Sequence, residues 1–139
     1  KAISASFEKS HGIKYDPNSQ LIVTSGGMVP HGNPDRIESS NATRFGYYSI
    51  EGMDSMSKDD FYTVHGGYDR QFVLENPNLC VPIDALRNLE KAGEFGELVN
   101  YFAATTGTGT ATGSAAKFGE AIGQRLVDEN VQAVILTST

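Results

Sequence analysis

The chain is poor in cysteine, in basic residues and in long apolar runs, and each shortage removes a class of protein. A single cysteine, Cys80, among 139 residues rules out an internal disulfide and with it the small disulfide-stapled secreted folds. Flanked by apolar residues in "NPNLCVPID", it reads as a small buried thiol, with a reactive thiol as the alternative. Eleven Lys and Arg against 17 Asp and Glu leave a formal charge of −6, and the cations are spread along the chain. The basic face that a phosphate backbone requires is missing, so no nucleic-acid partner is expected. No apolar run reaches the roughly 18 residues of a membrane span, and no basic, apolar, small-residue leader opens the chain. Neither membrane insertion nor secretion is supported, and a soluble cytoplasmic protein is the expectation. An initiator Met is also absent from "KAISAS", as expected of a fragment, an engineered piece or a processed product.

Other absences concern chemistry. His11, His31 and His65 stand far apart, and none has the spacing that sets two ligands on one helix face or strand, so no metal site is expected. There is no Gly-x-Ser-x-Gly elbow and no recognisable cysteine–histidine pair, which leaves a hydrolase without support. The stretch "TTGTGTATG" at 105–113 fails both standard phosphate patterns. Gly113 is followed by Ser114 and Ala115 where a Walker loop needs Lys and a hydroxyl, and a dinucleotide fingerprint on Gly107 and Gly109 would need Gly in place of Thr112. The acid expected at the end of the next strand is missing too. The turn still has the composition to receive an anion, since glycines let backbone amides and the positive end of a helix approach closely. A nucleotide, a carboxylate or other small anion, and a purely structural turn remain open.

What is present is an alternation of strands and helices. Residues 1–19 carry no sustained periodicity and read as a connecting segment; order begins with the buried-looking strand "LIVTS" at 21–25, stopped by Gly26 and Gly27. Residues 28–56 read as a long loop for substrate or partner contact, with a short extended piece around Phe45, Tyr47 and Tyr48. A helix turn is predicted at "SKDDFY", with Ser57 and Asp60 at capping-box spacing. A compact helix is predicted over 82–92, a strand over 98–106, an amphipathic helix carrying Ala111, Ala115, Phe118, Ile122 and Leu126, and a last strand in "QAVILTST". The pattern implies an α/β domain over 20–139, a partial domain of three-layer type with a mainly parallel sheet flanked by helices. Parallel strands would bring "TSGG", "TTGTGT" and "TST" to one edge, where open α/β sheets bind ligands.

The stretches "LIVTSGGMVPHGNPDRIESSNATRFGYYSIEGM", "DDFYTVHGGYD", "VPIDALRNLEKAGEFGEL", "TTGTGTA", "KFGEAI" and "AVILTST", in that unbroken order from about residue 20 to 139, resemble the selenoprotein subunit of component B of glycine, sarcosine and betaine reductases. The D-proline reductase selenoprotein is a more distant relative. In that family the segment resembling "AVILTST" is followed at once by selenocysteine and a Gly-Thr-Cys turn. The resemblance therefore implies a chain cut just before that residue, by reading of its UGA codon as stop or by an engineered cut.

The resemblance implies an oxidoreductase of anaerobic amino-acid fermentation that cleaves the α-carbon–nitrogen bond reductively. A selenolate attacks the carbon, the amine departs, and a carboxymethyl group passes as a selenoether to the component A selenoprotein, while a pyruvoyl group on a partner component B subunit activates glycine. The cofactor-like groups are thus selenocysteine in the full-length protein and a partner's pyruvoyl group, with none in this chain. The resemblance also implies a substrate wall from Ser25, Gly26 and Gly27, from Thr106, Gly107, Thr108, Gly109 and Thr110, and from Ser138 and Thr139. His65, followed by two glycines and close to Asp69, becomes an acid for the departing amine or a partner of the selenolate. Arg36 and Arg44 are alternative carboxylate clamps or solvated loop charges. The rival reading is a non-catalytic module for a small anion, a nucleotide or subunit assembly, and a homo-oligomer is possible.

Overall fold

The computed structural model describes residues 20–24, 26–33 and 37–138. The expected connecting segment, Ser25, Arg36 and Thr139 lie outside the described residues. The strands are β1 (Gln20–Thr24), β2 (Met28–Pro30), β3 (Gly46–Ser49), β4 (Phe61–Thr63), β5 (Leu98–Ala104) and β6 (Ala133–Thr137). The helices are α1 (Gln71–Glu75), α2 (Ile83–Lys91) and α3 (Thr112–Asp128), with a 3₁₀ turn at Pro77–Leu79.

Four strands form one sheet in the order β3-β5-β1-β6. β1 runs parallel to both β5 and β6, with Thr24 paired to Ala104 on one side and to Thr137 on the other, so the three expected strand ends do share an edge. β3 runs antiparallel beside β5. It lies inside the stretch expected to be a long loop, where alternating burial along "GYYS" marks a half-buried strand. β2 and β4 form a separate antiparallel pair. The turn expected at "SKDDFY" closes only over 57–61, where Ser57 Oγ accepts the Asp59 N–H at 3.1 Å. Phe61–Thr63 then becomes a strand, because Phe61 and Thr63 must both point inward while Tyr62 lies between them, a period of two that no helix provides.

α2 is preceded by Pro82 at its N-cap, where no helical N–H is lost, carries Asp84 at its positive end, and stops before Gly93 at a φ of 73°. It buries Ile83 and Leu86 on one face of the sheet. The core on that face is centred on Phe102, fully buried, with its ring 5.7 Å from that of Tyr48 and 6.0 Å from that of Phe61. α3 covers the other face, burying Phe118, Ile122 and Leu126. Its carboxyl end is pinned by Arg125, whose guanidinium lies 4.1 Å from the centroids of both Tyr47 and Tyr101 and whose Nε meets Glu129 at 2.7 Å. Tyr101 donates to the same carboxylate, and burial followed by that bond pushes its phenol up to about 12.

Phe102→Ala should lower stability by about 3–5 kcal/mol in urea denaturation, since it empties the centre of the core. Tyr101 should be among the last tyrosines to ionise in an absorbance titration at high pH. An unfolded tyrosine titrates near 10, so this phenol stabilises the fold below that pH and loses its contribution as pH rises toward 12. Tyr101→Phe should flatten that alkaline loss.

Candidate functional site

The carboxyl ends of β1, β5 and β6 meet a layer of threonines. Thr24, at the end of β1, is fully buried; its Oγ1 accepts the Gly26 N–H at 3.0 Å and lies 3.2 Å from Cys80 Sγ. Cys80 is a buried thiol, and desolvation pushes its titration upward, so it is held neutral. The main chain then crosses itself. Thr105 donates to the Thr24 carbonyl at 2.8 Å and Gly27 donates to the Thr105 carbonyl at 2.9 Å, which joins the loop after β1 to the segment after β5. Val64 donates to the Gly27 carbonyl at 3.0 Å and Thr63 Oγ1 donates to the Gly26 carbonyl at 2.5 Å. β4 and the "HGG" segment are therefore held against the edge of the main sheet.

These bonds bring His65 to the Gly-rich turn. His65 is 5% exposed. Its Nδ1 accepts the Gly67 N–H at 3.0 Å and its Nε2 lies 3.1 Å from Thr108 Oγ1. An imidazole nitrogen that accepts carries no proton, so the neutral ring bears its hydrogen on Nε2 and donates it to Thr108. Burial lowers the His65 pKa, in keeping with a ring held neutral. Asp69, close to His65 in sequence and so placed to orient its ring, instead accepts the Gln71 N–H at 3.0 Å.

The turn itself is strapped on two further sides. Thr110 donates its N–H to the Gly107 carbonyl at 3.0 Å, and Gly109 has a φ of 66°, the pattern of a type II turn. Asn41 donates to the Thr108 carbonyl at 2.8 Å, and Thr110 Oγ1 accepts the Ala42 N–H at 2.9 Å while donating to the Thr106 carbonyl at 2.6 Å. α3 starts just beyond, on Ala111, with no side-chain cap and no acidic residue in its first turn, so its positive end is uncompensated from within. Thr106 is 1% exposed, and its Oγ1 is buried without a hydrogen-bond partner among the described residues. A Cβ added at Gly27 would come within 3.0 Å of that oxygen, so glycine is what leaves room beside it.

The structure thus joins Gly26, Gly27, His65 and residues 106–110 in one cluster and leaves Ser138 exposed beyond β6. Arg44 is paired with Glu38 at 3.3 Å on the surface. Thr24, Thr63, Cys80 and Tyr68, whose hydroxyl donates to Thr63 Oγ1 at 3.3 Å, belong to the cluster and carried no recognised motif; the inward alternation of "FYT" was the available signal for Thr63.

The family described as "Glycine/sarcosine/betaine reductase selenoprotein B (GRDB)" matches residues 16–139. The chain belongs to this family. It is 64% identical over 118 residues to the sarcosine reductase complex component B subunit beta of Peptoclostridium acidaminophilum, covering 85% of this chain and 27% of that protein. The glycine reductase complex component B subunit gamma and the betaine reductase complex component B subunit beta of the same organism are 52% and 43% identical over the same lengths and shares. The chain thus spans about a quarter of the curated relatives it matches. No solved structure matches it. Among the described residues no helix is long and apolar enough to cross a membrane, and no group of three His, Cys, Asp or Glu is placed to hold a metal ion.

The His65 assignment has three checks. Long-range nitrogen–proton NMR should find the proton on Nε2. Because the folded ring titrates below its unfolded value of about 6.5, its contribution to stability is present above that pH and lost as pH falls below it. His65→Gln should remove that part of the acid loss. Gly67→Ala should shift the Thr108 resonances without unfolding the chain, since a Cβ there would collide with Thr108 Oγ1 and lie 2.8 Å from His65 Cε1.

Proposed function

We propose that the chain forms the strand-end wall of the substrate site in component B of a glycine-, sarcosine- or betaine-type reductase. The reaction is reductive cleavage of the α-carbon–nitrogen bond: the amine leaves, and the carboxymethyl group passes to the component A selenoprotein. The observation that carries this reading is the meeting, in a member of this family, of three parallel strand ends at a strapped, hydroxyl-lined edge with one buried hydroxyl unclaimed. Sarcosine is the first substrate to assay, since identity to the sarcosine-type relative is 64% against 52% and 43% for the glycine and betaine types.

The residues present fit the family's selenocysteine, which is not among these 139. The unclaimed Thr106 hydroxyl, at the strand-end edge that Thr24 shares with Thr137 of the last strand, would be the group to meet it. A selenol supplies a soft nucleophile that is largely ionised at neutral pH. The chain's own contribution is orientation. Turn amides and the positive end of α3 attract a substrate carboxylate, and Thr106 offers it or the leaving group a donor already stripped of water. His65 holds the turn through Thr108. To act as an acid toward the departing amine it would first have to take a proton at Nδ1 and give up the Gly67 bond. A pyruvoyl-bearing component B subunit is the partner expected to complete the site, and component A receives the product group.

The test uses the full-length polypeptide in complete component B with component A, following amine release from each substrate. In Thr106→Val, KM should rise about tenfold for the loss of one substrate bond, while stability is unchanged or higher because a buried unpaired hydroxyl is gone. An unchanged KM would remove Thr106 from the site. No turnover of any of the three substrates by the wild-type complex would overturn the whole reading.

A further inference from the structure

α3 is amphipathic over a wider arc than one sheet contact needs. A helix on a sheet requires an apolar stripe about 100° wide, which Phe118, Ile122 and Leu126 already supply. Beside that stripe runs a second, uncharged flank of Ala115, Ala116, Gly119, Gly123 and Val127, while Lys117, Glu120, Gln124 and Asp128 keep to the outward face. A Cβ added at Gly119 or Gly123 would meet nothing within 4 Å. The helix leans the other way, toward β3 and β5, through the Phe118–Phe45 ring contact at 5.4 Å and the Arg125 stack.

Among the described residues nothing covers the other half of this sheet face. A helix is about 10 Å across and strands lie about 4.8 Å apart, so one helix covers roughly two strands of four. Between β1 and the amino-terminal half of α3 lies a groove of about 240 Å³, lined by Val23, Gly119 and Ile122 and running on to Thr105, Thr106 and Gly107 at the strand-end edge. Val23 pairs in register with Leu136 of β6, and Leu136 and Val134, which share its sheet face, are 77% and 39% exposed. Val127 on the flank is 71% exposed. Apolar floor, small-residue wall and a width of two strands together describe a seat for one more helix, packed close to α3 where glycines let backbones approach.

We propose that this seat is filled by a helix of the same polypeptide in the full-length protein. The curated relatives carry nearly three quarters of their length outside the matched region, since the match spans 27% of each. That length supplies an occupant within one chain, without a second copy. The groove meets the candidate site at Thr105, Thr106 and Gly107, but Leu136, Val134 and Val127 lie outside that site, so the assignment can fail or stand without the catalytic reading.

Hydroxyl-radical footprinting of the 139-residue chain and of the full-length polypeptide tests it. Labelling of Leu136, Val134 and Val127 should fall about tenfold in the full-length protein, as for side chains moved from surface to core, and should do so at every protein concentration. Protection that grows with concentration would assign the face to a second copy, and equal labelling in both would leave it open; either overturns the proposal. Gly119→Leu adds a readout of opposite sign. It should raise the melting temperature of the 139-residue chain by replacing a helix-interior glycine next to open space, and lower that of the full-length protein by overpacking the seat. A rise in both would also overturn it.

Discussion

The rest of the structure depends on the backbone crossing at the end of β1. The chain has to leave the main sheet and begin the small one within three residues, and it does so by exchanging main-chain bonds with Thr105 on the way. Those bonds satisfy backbone groups that would otherwise be stranded at a buried strand end. They also set the distance between two pieces of chain nearly eighty residues apart in sequence, the loop at Gly26 and Gly27 and the Gly-rich turn. The candidate site is arranged around that separation.

The site built there is stiff because its polar groups are spoken for. Thr24, Thr63 and Thr110 each serve a backbone amide or carbonyl, and His65 uses both ring nitrogens. A network in which every member is satisfied resists rearrangement, since moving one group strands another. Against that background the Thr106 hydroxyl stands apart. Buried polar atoms in folded proteins are nearly always paired, so an unpaired one at a strand end among threonines and glycines is where the edge is chemically unfinished.

Much of this was legible in the residues. Helical spacing of Phe118, Ile122 and Leu126 gave α3, Pro82 and Gly93 bracketed α2, and the apolar runs before "TSGG", "TTGTGT" and "TST" gave three strands and their common edge. The family was readable too, in the order of its motifs. Short strands were not, because three residues such as "MVP" or "FYT" become strands only through partners far away, β2 with β4, and no local periodicity announces that pairing. The tautomer of His65 was equally hidden: it is decided by the Gly67 amide and by Thr108, forty-three residues on, which the sequence does not place beside it.

The stack of Arg125 between Tyr47 and Tyr101 has a mechanical consequence. It clamps α3 at its carboxyl end, while the amino end rests over an open groove and begins without a capping side chain. A rod held at one end and underfilled at the other concentrates its compliance at the loose end, here the first turns of α3 just beyond the strapped Gly-rich turn. Whatever fills the groove therefore also sets how firmly those first turns are held.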